Sequence, residues 1–296
     1  MAQGLSKILN PDELSIIVNT ADDFEYLGLY ISPDIDTVCY TLAGMANPAT
    51  GWGIKNDTFF TFDAIKKLSG PDWFLLGDID LATHFERTRL LKAGKSLTEV
   101  TRLLNAKFSI KHHVLPMSNQ RVSTLVQTKE YGVLSFQEYF VKHKFQPIVQ
   151  SFKFEGMETA KPTKDVVEAL SNSDSIIICP SNPFVSIDPI ISLNGLREII
   201  QEKFVICISP IVGGKAVKGP LDKMFEDLGI KSSANSVVEH YNGLIDFIFI
   251  DNIDKEEYKI SDRSSIIIQS TDILIPDLPS RVRLAKEIIN IIKKKI

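Results

Sequence analysis

SIIICPSNPFVSIDPIISLNGLREIIQEKFVICIS, residues 175–209, carries two short β-branched apolar runs, Ser175–Cys179 and Phe204–Ser209. Between them the apolar positions near Leu193–Gln201 recur at helical spacing. Strand, helix, strand in so short a span predicts a parallel pair, because parallel neighbours need a crossover connection while antiparallel ones need only a turn. The near-continuous apolar character of both runs predicts burial on both faces of the sheet. The rhythm repeats outward. Downstream, runs at Asp246–Ile250 and Ser265–Gln269 alternate with helical patterns at Leu221–Leu228, Ser236–Tyr241 and Ser280–Lys295. Upstream, Leu14–Asn19 (LSIIVN) follows an amphipathic stretch, Ala2–Leu9, closed by Asn10-Pro11. The fold class read from this alternation is α/β, a parallel sheet covered by helices on both faces. Between Phe62 and Phe108 the pattern is almost wholly helical, with Gly94 ending one helix and Ser96 to Glu99 forming a capping box that opens the next. That predicts a helical subdomain inserted into the sheet: 1–60 the N-terminal part of the core, 61–110 the insertion, 111–296 the remainder. The remainder begins with strand-like segments at His112–Pro116, Val122–Gln127 and Tyr131–Ser135 and a helical stretch, Phe136–Lys144.

The 296 residues are 44% hydrophobic and 24% charged, ordinary for a globular chain with a sizeable core. Thirty-three Lys plus Arg against 37 Asp plus Glu give a net charge of −4 and a pI near 5.8. This balance lacks the basic footprint that nucleic acid or an anionic membrane surface demands, so small molecules are the expected partners. Cys39, Cys179 and Cys207 are odd in number and far apart, which predicts a reducing compartment. The N-terminus has no apolar signal core and no apolar run is long enough to span a bilayer, so the expected location is the cytoplasm.

Five polar clusters punctuate the pattern. Asn19, Asp22 and Asp23 follow the first strand, at the carboxyl end where open α/β sheets place ligands; a solvated acidic turn is the plainer alternative. Asp34 and Asp36, in SPDIDT (32–37), straddle a predicted helix start and suit Mg²⁺ with phosphate oxygens, although Asp36 would serve equally as an N-cap. Asp78, Asp80 and His84, in LGDIDLATH (76–84), lead into a cationic helical face carrying Arg87, suited to a phosphorylated ligand, unless Asp80 is simply the N-cap. Ser181 and Asn182 follow the strand ending at Cys179. Ser209, Gly213, Gly214 and Lys215 follow the next one, where the glycines let backbone approach a ligand. Clusters at several strand ends predict one crevice.

In these clusters and their order the sequence resembles the 2-phospho-L-lactate transferase family, which makes the deazaflavin coenzyme F-420. The resembling stretches are NTADD (19–23), ISPDIDTV (31–38), GWGIKNDTF (51–59), WFLLGDIDLATH (73–84), LTEVT (97–101), LPMSNQRVSTLVQT (115–128), PSNPFVSIDPIISLNGLRE (180–198) and SPIVGGKAVKGP (209–220). The resemblance implies a Rossmann-like doubly wound parallel sheet with an inserted helical part, and usually a homodimer. It implies transfer of a phospholactyl or phosphoenolpyruvyl group from a guanosine-diphosphate-linked donor to the ribityl hydroxyl of the deazaflavin Fo, releasing GMP, with Mg²⁺. Under it, Asp34 and Asp36 hold the metal, Asp36 is catalytic at the acceptor hydroxyl, and Ser181 and Asn182 lie on the guanosine side. A non-catalytic nucleotide-sugar-binding regulator of the same fold is the other reading, disfavoured by SPDID and GDIDLATH. The sequence departs from the family in three places. Ile79 stands where many relatives carry Arg, Asn119-Gln120 replaces a frequent acidic pair, and the strand and glycine loop that should precede Ala2 are absent from residues 1–296. The last departure predicts that Met1 is an internal or truncated start, that the apolar face of Ala2–Leu9 is poorly covered, and that diphosphate binding is weak.

Overall fold

The computed structural model describes residues 1–256 and 266–295. Its strands are β1 (Ser15–Val18), β2 (Phe24–Tyr26), β3 (Leu29–Ile31), β4 (His113–Pro116), β5 (Ser123–Thr128), β6 (Gly132–Ser135), β7 (Val149–Glu155), β8 (Ser175–Ile178), β9 (Phe204–Ile208), β10 (Ile211–Val212), β11 (Lys215–Ala216), β12 (Phe247–Asp251) and β13 (Ile267–Thr271). Its helices are α1 (Ala2–Leu5), α2 (Pro33–Leu42), α3 (Phe60–Lys67), α4 (Asp78–Lys92), α5 (Leu97–Lys107), α6 (Lys164–Asn172), α7 (Asp188–Ile191), α8 (Leu196–Gln201), α9 (Leu221–Asp227), α10 (Ala234–His240) and α11 (Leu278–Lys295).

The expected alternation folds as an α/β architecture whose parallel strands form two sheets. One is four-stranded in the order β13-β12-β9-β8; the other pairs β1 with β4. Successive residues of a strand face opposite ways, and the core divides accordingly. Val205 and Cys207 of β9 and Ile248 and Ile250 of β12 join the largest apolar cluster, shared with β4, β5, α6, α8 and α10. Ile206, Ile208, Phe247 and Phe249 face the other way onto Leu284, Ile288 and Ile292, which α11 spaces four residues apart on one stripe. Burying each such side chain contributes roughly 1.5–3 kcal/mol.

Several expectations change. The amphipathic N-terminal stretch is helical only over Ala2–Leu5, and its apolar face is covered. Leu5 is buried, and Gly4 lies so close to α11 that a Cβ there would come within 2.2 Å of the Arg281 carbonyl oxygen. The stretch Phe136–Lys144 is a π-helical turn over Glu138–Lys142, and β5, β6 and β7 make a separate antiparallel sheet. The hairpin β2–β3 carries no sequence signal: its turn residues, Leu27 and Gly28, have φ of 54° and 75°, a conformation normally marked by Asn-Gly or Asp-Gly. Ser265, the start of one predicted strand, falls outside the described residues; β13 begins at Ile267. Among the described residues no helix is long and apolar enough to cross a membrane.

Candidate active site

The loop leaving β1 turns on Asn19. Its side-chain oxygen accepts from the Ala21 amide (2.9 Å), leaving its Nδ2 to donate to Asp22 Oδ2 (3.1 Å), Asp34 Oδ2 (3.1 Å) and the Val185 carbonyl (3.2 Å). One buried amide therefore gathers a carboxylate after β1, another from the first turn of α2 and the loop after β8. Asp23 is buried beside them and accepts from Ser32 Oγ (2.8 Å). Asp22 Oδ1 and Asp23 Oδ1 are buried without a well-aligned hydrogen bond, the Thr124 hydroxyl lying beside Asp22 and that of Tyr30 beside Asp23. Burial pushes both carboxyls well above the usual range. The charge of Asp34 adds to the shift at Asp22, and Ser32 only partly opposes the shift at Asp23. The Asp34 carboxyl is raised as well, again by burial. Crowded carboxylates favour a bound cation. Hard oxygen donors such as these carboxylates fit Mg²⁺.

Asp36 is placed differently. It lies in the first turn of α2, where the N-cap is Ser32, and its carboxylate receives both terminal nitrogens of the fully buried Arg87 guanidinium, one of them at 3.1 Å. The two carboxylates expected to share a metal thus have different partners. Asp34 bonds Asn19 and faces Asp22, whereas Asp36 points into α4 and is neutralised there. Arg87 Nη1 also lies 3.2 Å from His84 Nδ1, His84 Nε2 lies 3.2 Å from Asp80 Oδ1, and Tyr40 donates to Asp80 at 2.6 Å. Burial acts to raise the Asp80 carboxyl, but His84 and Tyr40 outweigh it and hold it below the usual range. Ligand atoms of Asp36, Asp80 and His84 come within 4.8 Å of one another, a spacing a metal can use, yet Arg87 already supplies positive charge there.

Asp80 is not an N-cap, because Gly77 holds that position and the cap comes from elsewhere. Asp57 accepts from the Ile79 and Asp80 amides (2.8 and 3.0 Å), and Asp78 reciprocates by accepting from the Phe60 and Thr61 amides (2.9 and 3.0 Å) at the start of α3. Asp78 is therefore engaged in capping. The two asparagine-region substitutions are likewise structural: Asn119 caps α5 through Thr98, and Gln120 bonds Lys161 and Thr159.

The later strand ends contribute less. Asn182 caps the π-helical turn at Phe184 and donates to Met224 Sδ, Ser181 is half-buried beside it, and Ser209 is fully buried and bonded to Ile211. The Gly213 amide, expected to meet a ligand, donates instead to both oxygens of Asp254 (3.0 and 3.1 Å). Gly214 and exposed Lys215 line a cleft of about 510 Å³ beside α9, with Lys223, Lys231 and Ser232. The structure thus gathers Asn19, Asp22, Asp23, Asp34, Asp36, Asp80, His84 and Arg87 around β1, α2 and α4. Ser209, Gly213, Gly214 and Lys215 lie around β10 and β11, with the local partners just given. Tyr40 and Asp57 are the participants sequence reasoning missed; Asp57 sits in the quoted GWGIKNDTF stretch, but its partner lies more than twenty residues on.

Comparison with known proteins identifies the family. The family model described as 2-phospho-L-lactate transferase CofD matches residues 1–295. The 2-phospho-L-lactate transferase of Methanocaldococcus jannaschii is 40% identical over 292 residues, covering 98% of this chain and 93% of its own. That of Methanosarcina mazei is 37% identical over 289 residues (98% and 95%), and the phosphoenolpyruvate transferase of Streptomyces griseus is 37% identical over 292 (96% and 92%). A crystal structure of a UPF0052 family member from Bacillus halodurans shares the fold with a TM-score of 0.60 at 13% identity, covering 97% of this chain and 94% of that one. With its fold shared and nearly its whole length matched in this way, the chain belongs to the 2-phospho-L-lactate transferase CofD family.

Proposed function

We propose that this transferase moves a phospholactyl or phosphoenolpyruvyl group from a guanosine-diphosphate-linked donor to the terminal ribityl hydroxyl of the deazaflavin Fo, in coenzyme F-420 biosynthesis. In that reaction the hydroxyl oxygen forms a bond to the phosphorus bearing the three-carbon acid and gives up its proton to solvent, the bond from that phosphorus to the GMP oxygen breaks, and GMP leaves with the bond's electron pair. The observation that supports it is the pair of buried carboxylates Asp22 and Asp34, brought together on the Asn19 amide. Asp22 and Asp34 would hold Mg²⁺, which supplies neutralisation of phosphate oxygen charge. Phosphoryl transfer depends on positioning and charge more than on covalent help, which is what fixed carboxylates and a rigid Asn19 provide. On this reading Asp36 contributes from behind the site, while Lys215 and Gly214 border the cleft available to the donor. The resemblance also implies a homodimer, which sedimentation checks.

The test is incubation of the protein with Fo, Mg²⁺ and each guanylyl-linked three-carbon donor in turn, followed by mass spectrometry. Phosphorylated deazaflavin together with GMP is the expected result. Tight donor binding with no new deazaflavin species overturns it and favours a nucleotide-sugar-binding regulator. At the carboxylates, Asp34→Asn is expected to lower turnover by about 10²-fold with the far-UV spectrum unchanged.

A further inference from the structure

We infer that Arg87 and His84 are positioning residues, which hold the first turn of α2 through Asp36 so that Asp34 meets Asp22, and that neither touches a ligand. Arg87 and His84 are 1% and 2% exposed, and both carboxylate oxygens of Asp36 are taken up by Arg87, whereas the equally buried Asp22 keeps one oxygen without such a partner. A buried guanidinium needs a partner that answers its charge, and Arg87 finds one in both oxygens of Asp36. Its Nη1 also lies 3.2 Å from His84 Nδ1 and 3.5 Å from the Tyr30 carbonyl.

The tautomer of His84 follows. Guanidinium nitrogens donate and never accept, so Nδ1 presents its lone pair to Arg87, which leaves the N–H to Nε2, 3.2 Å from Asp80 Oδ1 but not aligned on it as a hydrogen bond. Asp80 in turn receives the Tyr40 hydroxyl. The chain of contacts closes on itself: Asp36 and Tyr40 are one turn apart on α2, and Asp80, His84 and Arg87 follow one another along a single face of α4. The ring fixes the rotation of α2, and Asp34, two residues before Asp36, is carried to Asn19 by that rotation. A metal among Asp36, Asp80 and His84 is the competing use of the same atoms, but Asp36 is already answered by the buried Arg87 guanidinium, whose charge a cation would have to face.

The inference rests on the reading that Asp34 and Asp22 serve the bound ligand. Its test measures Mn²⁺ affinity by electron paramagnetic resonance, alongside kcat and KM for Fo, in Asp36→Asn, Arg87→Gln, the double variant, His84→Gln and His84→Leu. Asp36→Asn and Arg87→Gln are each expected to weaken Mn²⁺ binding by about 10-fold or more and to lower kcat, with KM for Fo near that of the unaltered protein. The double variant keeps a hydrogen-bonded pair and leaves no unpaired buried charge, so it is expected to recover most of both losses, and it provides a folded comparison if a single variant fails to fold. His84→Gln, which offers an acceptor and a donor, is expected to retain what His84→Leu loses. Nitrogen-15 spectra of the unaltered protein are expected to show a neutral Nε2–H imidazole. A double variant as impaired as Asp36→Asn overturns the inference, since Asp36 would then itself meet the reacting atoms; single variants with unchanged Mn²⁺ affinity overturn it too. If the unaltered protein binds Mn²⁺ but transfers nothing, the proposed reaction fails while the Mn²⁺ measurements still decide the positioning; if it binds no Mn²⁺, both fail.

Discussion

Gly77 has no side chain because none fits: a Cβ there would lie 2.1 Å from Asp57 Oδ2. Asp57 cannot withdraw without releasing the Ile79 and Asp80 amides it caps, so Gly77→Ala is expected to cost about 1–3 kcal/mol, read from the midpoint of urea unfolding. A change of only a few tenths would show that the cap tolerates displacement. Its counterpart, Asp78, is held down to about 2 by hydrogen bonds from Thr58, Thr61 and Phe60. A carboxyl lowered in the folded state adds stability above its unfolded value, and that contribution disappears as pH falls. The melting-temperature gap between the unaltered protein and Asp78→Asn should therefore be constant above the ordinary carboxylate range and close as pH falls toward about 2. A gap that persists at low pH would assign the effect to packing. At this scale the acidic motifs were legible from the sequence, since runs such as NTADD and SPDID stand out against apolar neighbours. What each carboxylate does was not. Asp34 and Asp36 are two residues apart, yet one meets Asn19 and the other Arg87, fifty-one residues away, and no local pattern encodes that difference.

Between elements, the strands that a covered parallel sheet requires were readable because both faces demand apolar residues, as β9 and β12 illustrate. Hairpin β2–β3 escaped because three-residue strands leave no period to count and Leu27 in a left-handed turn gives no warning. Coverage of α1 escaped for another reason. Its partner, α11, lies at the other end of the sequence, and only the fold brings Gly4 against Arg281. The contact with the carbonyl involves rigid backbone, so Gly4→Ala must push α1 and α11 apart and should destabilise by about 1–3 kcal/mol. The larger test of the α11 layer is Ile288→Ala. Ile288 is fully buried against the sheet face built from Ile206, Ile208, Phe247 and Phe249, and its truncation should cost about 2–5 kcal/mol in chemical unfolding. A loss under about 1 kcal/mol would mean that α11 can be loosened without disturbing the sheet.

At the scale of the whole molecule, residues 61–110 read as an inserted subdomain because their helical pattern interrupts the strand rhythm. The packing ties this stretch to the rest. Leu97 of α5 and Leu91 of α4 share an apolar cluster with Val18 of β1, Val114 of β4, and Ile35 and Cys39 of α2. The Arg87–Asp36 pair adds a buried charge contact between α4 and α2 that cannot be opened without stranding an ion. Both tryptophans, Trp52 and Trp73, lie in the connection between α2 and α4, and Trp73 packs against Phe24, Tyr26 and Phe74. Tryptophan fluorescence therefore reports this region, whereas far-UV circular dichroism reports every helix and strand. An independent subdomain would give two transitions at different denaturant concentrations, because its own core would decide its stability. A shared core gives coincident transitions, and these are what we expect for the unaltered protein. The expectation extends to Arg87→Gln. Leaving Asp36 as a buried, unanswered carboxylate should lower the midpoint by about 3–5 kcal/mol in free energy and move both probes together. If the fluorescence transition alone shifted, the helical stretch would be unfolding on its own, and α4 would be a docked part rather than a member of the core that sets Asp34 opposite Asp22.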